Sequence, residues 1–242
     1  MFSKISIIMP VYNEEDTVLE ALKRVASCDF VGEIIVIDDG STDSTLEKLH
    51  SFTCENINLQ ILINSKNSGK GSSLIKGIEK AKLDFIAIQD GDLEYDPNEF
   101  AKLIIPLLQD KADIVYGSRF IGSTPKSVSF FWHMFGNKIL TQSTNLLTNL
   151  NLTDMETCQK IFRRELVQKI KLTEKRFGIE PELTIKFARM HARFYEVGIS
   201  YNRRTYGEGK KIGWKDGISA LYCIFKYAFL PKKYWLKIVT KS

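Results

Sequence analysis

Residues 85–97 read FIAIQDGDLEYDP, and residues 34–45 read IIVIDDGSTDST. In both stretches a short, wholly apolar run ends in aspartates and a glycine. Wholly apolar strands are typical of parallel sheets that are covered on both faces. Because the carboxyl ends of parallel strands meet at one edge, where ligands bind in such sheets, both stretches predict strands that carry acidic side chains to a common site.

Outward from these two stretches, apolar or β-branched runs alternate with amphipathic helical patterns. Further strands are predicted over residues 5–9, 59–63 and 113–116, and helices over 13–26, 44–52, 70–81 and 97–108. This alternation is typical of an α/β fold in which right-handed crossovers connect the strands of a mostly parallel, twisted sheet with helices on both faces.

Beyond Gly122 the sequence changes character. Residues 127–150 are rich in aromatic and apolar side chains. A helix near 181–190, a strand near 194–199 and a helix from about Trp214 are predicted to follow. No linker rich in Pro, Gly or Ser interrupts the chain, so we predict one domain over residues 1–242.

Composition and charge indicate which partners and which cellular compartment suit the protein. The 242 residues have a net charge of +5, and residues 201–242 alone carry ten Lys and Arg against two Asp and Glu, a net +8. Such a basic end suits phosphates, an anionic membrane surface or nucleic acid, but no nucleic-acid-binding signature accompanies it. We expect neither a transmembrane segment nor a secretory signal. The four cysteines lack metal-binding or redox spacing, and scattered thiols favour a reducing cytoplasm.

Acidic residues at the strand ends are the first candidates for chemistry. Asp38, Asp39, Asp90 and Asp92 are predicted to converge where the sheet opens. Their carboxylates repel one another unless a cation or a hydrogen-bonding ligand compensates them. Hard oxygen ligands without nearby Cys or His suit Mg²⁺ or Mn²⁺, which would bridge to a diphosphate leaving group. Gly91 leaves room for a ligand to approach closely. The alternative is that these Asp-Gly and Asp-Pro pairs only mark surface turns.

Two further motifs follow strand ends. MPVYNEE at residues 9–15 offers Tyr12 for stacking on a base and Glu14 as a hydrogen-bond acceptor, although the same residues also fit a capped helix N-terminus. NSGKGSS at residues 67–73 lacks the first glycine of a phosphate loop, and a glycine replaces the Ser or Thr that should follow the lysine. We therefore exclude an ATPase and favour a turn that opens the third helix, with Lys70 beside the ligand as the alternative.

Basic residues come later in the chain. Arg119 follows the fifth strand, and a loop that contains glycines carries Arg203, Arg204, Lys210 and Lys211. Such a loop can close over phosphates. The alternative is a solvated basic face.

Aromatic side chains also cluster near lysines. Residues 127–150 carry few charges, and Tyr234 and Trp235 lie beside lysines in the C-terminal tail. Aromatics next to lysines suit a helix that lies on a bilayer surface without crossing it. The alternative is core packing for the first segment and a solvated tail for the second.

Seven motifs, in order, carry a resemblance to a known family: MPVYNE, VIDDGSTDST, GKGSSLIKG, QDGDLEYDP, YGSRF, TNLNLTDMETC and EGKKIGWKDG. Together they resemble the family 2 glycosyltransferases, and within these the dolichyl- or polyprenyl-phosphate mannosyltransferases. The match runs from Ile5 to about Tyr227. The resemblance implies the GT-A fold, with a nucleotide-sugar-binding half over residues 1–122 and an acceptor-side half, with interfacial amphipathic helices, over 123–242.

The resemblance also implies roles for individual residues. Ile37 and Asp39 would contact the base and ribose, and the rest of the donor site would comprise Pro10, Tyr12, Glu14, Lys70, Asp90, Gly91, Asp92, Arg204 and Lys210. Mg²⁺ or Mn²⁺ would be held by Asp92 and Glu94; relatives commonly have Gln where Glu94 stands and Ala where Gly91 stands. The acceptor phosphate would contact Arg119, His133 and Asn137. The catalytic residues would be Asp92 and Arg119.

We therefore predict an inverting hexosyltransferase that moves a sugar to a polyprenyl phosphate, with mannose from GDP-mannose as the family expectation. It would lie at the cytoplasmic face of a membrane, in peripheral contact with the membrane or through a membrane-protein partner. UDP-glucose or another nucleotide sugar, and a soluble glycan or protein acceptor, are the alternatives.

Two other classes fit less well. A nucleotidyltransferase should carry a Gly-rich loop directly after the first strand, where MPVYNEE stands instead. A non-catalytic nucleotide-sugar binder is disfavoured because Asp90, Asp92, Arg119 and Lys210 are all present.

Overall fold

Seven strands form one sheet in the computed structural model, which describes residues 4–55, 57–122, 131–203 and 214–237. The strands are β1 (Ile5–Val11), β2 (Val31–Asp38), β3 (Asn58–Ile63), β4 (Phe85–Ile88), β5 (Ile114–Ser118), β6 (Lys160–Arg163) and β7 (Phe194–Gly198). Their order is β3-β2-β1-β4-β6-β5-β7, and the pairings are parallel except those made by β6. The predicted α/β fold with a mostly parallel sheet is confirmed.

Helices occupy most of the connections between the strands. They are α1 (Val18–Ala26), α2 (Thr45–Ser51), α3 (Lys70–Lys80), α4 (Phe100–Leu103), α5 (Ile105–Leu108), α6 (Phe131–Thr148), α7 (Arg164–Gln168), α8 (Ile179–Arg189) and α9 (Trp214–Phe229). Within the described ranges, no helix combines the length and the apolar character needed to cross a bilayer.

The centre of the sheet is apolar on both faces, as the uniform strand sequences predict. Ile7, Ile35 and Ile86 are completely buried, and each such side chain stabilises the fold by roughly 1.5–3 kcal/mol relative to exposure. Glu33 is a buried polar exception. Its carboxylate accepts hydrogen bonds from the Ser6 hydroxyl at 2.6 Å and from neighbouring side-chain amides at 3.1 Å, so its burial leaves no acceptor unpaired.

Helix α3 lies unusually close to the sheet at Gly77. A Cβ atom at this position would stand 2.5 Å from Cγ2 of Ile8 and 2.9 Å from Cδ1 of Ile37. The absence of a side chain therefore allows α3 to pack directly on β1 and β2. This packing holds the N-terminus of α3, which begins at Lys70, against the edge where the parallel strands end.

The short antiparallel strand β6 was not predicted. It pairs with β4 on one side, Ile88 opposite Lys160, and with β5 on the other, Tyr116 opposite Lys160. Four residues that begin with a lysine and end with an arginine give no strand pattern in the sequence. In the fold Lys160 is fully buried and forms an ion pair with Glu180, so tertiary pairing overrides the local polarity.

Two predicted helices differ from their observed bounds. The first begins at Val18 instead of residue 13, because Asn13 has a φ of 50° and its side chain bonds to Thr42. The helix predicted over 97–108 is interrupted at Ile104, two residues before Pro106. Proline has no N–H to donate and its ring clashes with the preceding turn.

The division of the chain at residue 122 stays a prediction. Strands β6 and β7, which follow residue 122, complete the same sheet as the five strands that precede it.

Candidate active site

A cleft of about 1070 Å³ opens at the edge where β1, β2 and β4 end. This is the edge at which ligands bind in doubly wound sheets. The cleft is lined by most of the residues predicted to form the site, namely Pro10, Tyr12, Glu14, Asp39, Lys70, Asp90, Gly91, Asp92, Glu94, Arg119, His133 and Asn137. Their individual roles remain predictions.

The remaining predicted residues have other positions. The side chain of Ile37 is fully buried beneath α3 and does not line the cleft, because β2 turns it toward Gly77. We therefore do not retain a contact of this side chain with base and ribose. Asp38 is also buried away from the cleft. Arg204 and Lys210 lie outside the described residues.

Asp39 is stabilised by the protein itself. Its carboxylate accepts hydrogen bonds from the Asn64 amide at 2.8 Å and from the backbone N–H groups of Ser68 and Gly69 at 3.0 and 2.7 Å. These bonds tie the end of β2 to the turn that opens α3. The 67–73 segment is therefore a helix-opening turn, as favoured from the sequence, and four of its residues, Asn67, Gly69, Lys70 and Ser73, also line the cleft.

Lys70 compensates the charge of the QDGD motif. Its Nζ lies 3.0 Å from Oδ1 of Asp90, 2.6 Å from Sγ of Cys158 and 3.7 Å from Oε1 of Glu180. Burial by itself lowers the pKa of Lys70, but Asp90, Cys158 and Glu180 together outweigh burial and raise this pKa well above its ordinary value. Part of the repulsion expected among the aspartates is thus removed by a lysine from α3, without an external cation.

Asp92 and Glu94 lie together on the loop after β4. The Glu94 N–H donates to Oδ1 of Asp92 at 3.1 Å, and the hydroxyl of Tyr201 donates to Oε2 of Glu94 at 2.8 Å. Leu93 between them has a φ of 64°, a conformation that non-glycine residues rarely adopt and that is enriched at functional sites.

The donor atoms in this loop fit a hard divalent cation. Among the residues that the structure describes, no three His, Cys, Asp or Glu side chains gather closely enough to hold an ion on their own. Mg²⁺ is usually bound through one or two carboxylates together with substrate phosphates and water. Asp92 and Glu94 would supply that protein share, with the remaining positions left to a diphosphate and solvent.

Arg119 is fixed by Asp154. The guanidinium makes two hydrogen bonds of 2.7 Å to the two carboxylate oxygens, and Asn137 donates to Oδ1 of Asp154 at 3.0 Å. Burial alone would raise the pKa of Asp154, but the charge of Arg119 together with the hydrogen bonds from Arg119 and Asn137 holds it below its ordinary value of 3.8. A side pocket of about 60 Å³ beside this pair is bordered by Arg119, His133, Asn137 and Arg203.

Several cleft residues were not predicted to have a role. They come from the segment before β6, from the residues just before α8 and its first turn, and from aromatic positions, and they are Tyr95, Glu156, Cys158, Arg176, Glu180 and Tyr201. The segment before β6 contains the end of the TNLNLTDMETC motif, which contributed to the family resemblance. Nothing in its sequence shows that an antiparallel strand places it beside the end of β4.

Helices α6 and α9 carry many exposed apolar side chains, and some of them line the cleft. Trp132 of α6 is 76% exposed and lines the cleft, as does the exposed Ile218 of α9. The other members of this apolar surface are Phe131, Met134, Phe135, Ile139, Leu146, Tyr222, Phe225 and Phe229. The prediction for Trp235 is wrong, because its ring is buried against Lys186 and Arg189 instead of facing a bilayer.

Residues 6–171 match the sequence profile of Glycosyl transferase family 2. Because that match spans more than half of the protein, the chain belongs to glycosyl transferase family 2. This confirms the family inferred from the seven motifs.

Two curated relatives are similar along most of this chain. One is the undecaprenyl-phosphate 4-deoxy-4-formamido-L-arabinose transferase of Aeromonas hydrophila, 28% identical over 212 residues, which are 85% of this chain and 62% of the relative. The other is the dolichol-phosphate mannosyltransferase of Pyrococcus furiosus, 27% identical over 214 residues, which are 87% of this chain and 60% of the relative. The chain thus spans about three fifths of the length of these relatives.

Solved structures of glucosyl-3-phosphoglycerate synthase from Mycobacterium tuberculosis share the fold. The structure with Mn²⁺, UDP and glucosyl-3-phosphoglycerate has a TM-score of 0.70 and 19% identity, covering 95% of this chain and 81% of that one. The structure with Mg²⁺ and UDP has a TM-score of 0.71 and 19% identity, covering 95% and 80%. At this level of identity the likeness concerns the fold alone, and it confirms the predicted GT-A architecture.

Proposed function

We propose that this chain transfers a sugar from a nucleotide diphosphate to a polyprenyl phosphate, with inversion at the anomeric carbon. The observation that carries the proposal is a single cleft that joins the acidic loop of Asp92 and Glu94 to the basic side pocket of Arg119. Two exposed side chains of the apolar surface of α6 and α9, Trp132 and Ile218, line this same cleft. The names of both curated relatives, which carry lipid phosphates, support the acceptor class.

On the donor side, the residues at the ends of β1 and β2 would hold the nucleoside. Tyr12 offers a ring for the base, and Asp92 and Glu94 would hold Mg²⁺ or Mn²⁺ against the diphosphate. Such an ion supplies charge neutralisation at the leaving group when it is bound. The presence of Mn²⁺ or Mg²⁺ with UDP in the structural neighbours supports this arrangement.

On the acceptor side, the lipid phosphate is already an anion and needs no strong general base. Arg119, held by Asp154, would orient one phosphate oxygen toward the anomeric carbon. That oxygen forms the new bond while the bond to the diphosphate oxygen breaks and the diphosphate leaves with the electron pair. Catalysis would then consist mainly of positioning and of electrostatic stabilisation.

The apolar surface would meet a bilayer. Exposed lysines accompany its two helices in the sequence: Lys138 stands on α6, and Lys232 and Lys233 follow the end of α9. Aromatic and basic residues together favour binding at an anionic membrane interface. A cytoplasmic orientation and a membrane-protein partner are parts of the same proposal. Flotation with liposomes tests it: binding should require anionic lipid and weaken in the Phe131→Ser/Trp132→Ser variant.

GDP-mannose is the donor we favour, and the name of the Pyrococcus relative supports the mannose. UDP-glucose is the second candidate because UDP occupies the structural neighbours. The test is transfer of radiolabel from each donor to a polyprenyl phosphate, followed by extraction into organic solvent. Asp92→Ala should abolish transfer while the protein stays folded, and Glu165→Gln, an exposed change on α7, should not alter it. Normal transfer by Asp92→Ala would refute the role of this loop.

A further inference from the structure

The inner part of the cleft contains two carboxylates that the proposed mechanism does not use. Glu156 and Glu180 both line the cleft. Oε1 of each is buried, and neither oxygen has a hydrogen-bond partner within the part of the chain that the structure describes. The Glu180 residue as a whole is only 3% exposed. Buried polar atoms without partners are rare in folded proteins and need an explanation.

Both side chains are held by rigid parts of the fold. Glu156 lies on the segment that leads into β6, whose pairing with β4 and β5 fixes it beside the end of the sheet. Glu180 stands in the first turn of α8, and its second oxygen, Oε2, forms an ion pair with the fully buried Lys160. Lys160 in turn lies over the ring of Tyr116, 4.7 Å from its centroid.

The charges around these oxygens are already balanced. Lys70 pairs with Asp90, and Lys160 pairs with Glu180. Glu156 makes no ion pair among the described residues. Burial and the nearby Glu180 raise the pKa of Glu156 to about 7, so the side chain exists partly as a neutral acid near neutral pH. This balance favours a neutral ligand that donates hydrogen bonds, because an additional anion would face three carboxyl groups.

The position of Glu180 beside the QDGD motif indicates what this ligand is. Oε1 of Glu180 lies 3.7 Å from Nζ of Lys70, and the same Nζ contacts Asp90 in the QDGD motif. A group attached to a diphosphate that is bound at this motif would therefore extend toward Glu180, and Glu156 lines the same cleft. Sugar hydroxyls are neutral donors that pair well with buried carboxyl oxygens.

We propose that Glu156 and Glu180 form the subsite that binds hydroxyl groups of the transferred sugar and thereby selects the donor. This inference rests on the proposed function, because the sugar reaches the subsite only as part of a nucleotide sugar. A site built to bond a hydroxyl discriminates strongly against an analogue that lacks it.

The test compares sugar-bearing and sugar-free ligands on the full chain. Calorimetry with Mn²⁺ would measure binding of GDP, GDP-mannose, UDP and UDP-glucose to the unmodified protein, to Glu156→Ala and to Glu156→Gln. Glu165→Gln serves as the matched control. We expect Glu156→Ala to weaken binding of the preferred nucleotide sugar by roughly ten- to a hundredfold and to leave the sugar-free nucleotide unchanged. If Glu156→Ala does not fold, the near-isosteric Glu156→Gln carries the same comparison.

Monodeoxy donors identify the hydroxyl. Removing one hydroxyl from the sugar should weaken binding to the unmodified protein but cause no further loss in Glu156→Ala, since the contact is already absent. The subsite is overturned if Glu156→Ala weakens binding of the nucleotide and of the nucleotide sugar equally. It is also overturned if, for every deoxy donor, the loss of affinity adds fully to the loss caused by Glu156→Ala. Either result leaves the proposed function intact. An unmodified chain that binds none of the four ligands would overturn the proposed function itself, and the subsite with it.

Discussion

Arg119 and Asp154 form a bidentate ion pair in which Nε and Nη2 of the arginine each lie 2.7 Å from one carboxylate oxygen. Asp154 also accepts a hydrogen bond from the backbone N–H of Arg119 at 3.1 Å. Paired, planar contacts of this kind fix the orientation of a guanidinium as well as its position. A residue 35 positions away in the sequence therefore sets the geometry of the proposed acceptor site.

Replacing Asp154 by Asn should release Arg119 from this geometry. We expect turnover in the transfer assay to fall by roughly a hundredfold, since misplacement of about 1 Å has that effect, while affinity for the nucleotide stays unchanged. Asp84→Asn, whose side chain is 90% exposed, is the control. Unaltered turnover in a folded Asp154→Asn protein would show that the pair does not position Arg119 for catalysis.

The contact of Lys70 with Asp90 should appear as a coupling energy. Lys70→Met leaves Asp90 without its cation, and Asp90→Asn leaves Lys70 with Cys158 and the longer contact with Glu180. Each single change breaks the same pair. The free energy of unfolding lost in the double variant should therefore be smaller, by about 0.5–3 kcal/mol, than the sum of the losses in the two single variants. Urea denaturation of all four proteins measures this difference, and strictly additive losses would contradict the coupling.

Two ion pairs with the same i,i+4 spacing should differ in their contribution to stability. Glu182 and Lys186 in α8 are fully buried, and Glu182 also accepts hydrogen bonds from the N–H groups of Thr173 and Glu174. Glu20 and Arg24 in α1 are about half exposed. We expect Glu182→Ala to lower the free energy of unfolding by about 3–5 kcal/mol and Glu20→Ala to lower it by less than about 1 kcal/mol. Equal losses in chemical denaturation would argue that burial does not govern these pairs.

The raised pKa of Glu156 predicts a pH dependence of stability. Its pKa is about 7 in the folded protein and 4.5 ordinarily, so the folded state binds this proton more tightly than the unfolded state. The resulting stabilisation is complete below pH 4.5 and is lost as pH rises through about 7. Between pH 4.5 and pH 8 the free energy of unfolding of the unmodified protein should therefore fall by on the order of 2–3 kcal/mol relative to that of Glu156→Gln.

Thermal unfolding of the two proteins across this pH range measures the difference, with Glu165→Gln as a reference that should run parallel to the unmodified chain. If the difference in unfolding temperature between Glu156→Gln and the unmodified protein stays constant across this pH range, the Glu156 carboxyl titrates normally.

Local pattern in the sequence was sufficient for the central strands and for the acidic edge of the sheet. The runs that became β1, β2 and β4 are almost wholly apolar, with Ser6 and Glu33 as paired exceptions, because both faces of those strands are buried. Aspartates directly after such runs must appear at the carboxyl edge, whatever the rest of the chain does. The motifs that identify the family have the same local character, which is why the sequence alone was enough to predict Asp92 and Glu94 as site residues.

Only the tertiary structure decided which distant residues meet. Strand β6 inserts between β4 and β5 although its own residues resemble a charged loop, and that insertion brings Glu156 and Cys158 to the end of β4. The pairing of Arg119 with Asp154, the position of Lys70 on Asp90 and the burial of Trp235 likewise depend on contacts between segments far apart in the chain. Such contacts form because a buried charge requires a partner and because burial removes apolar surface from water. Neither cause specifies which distant residue becomes the partner, so a short stretch of sequence cannot predict it.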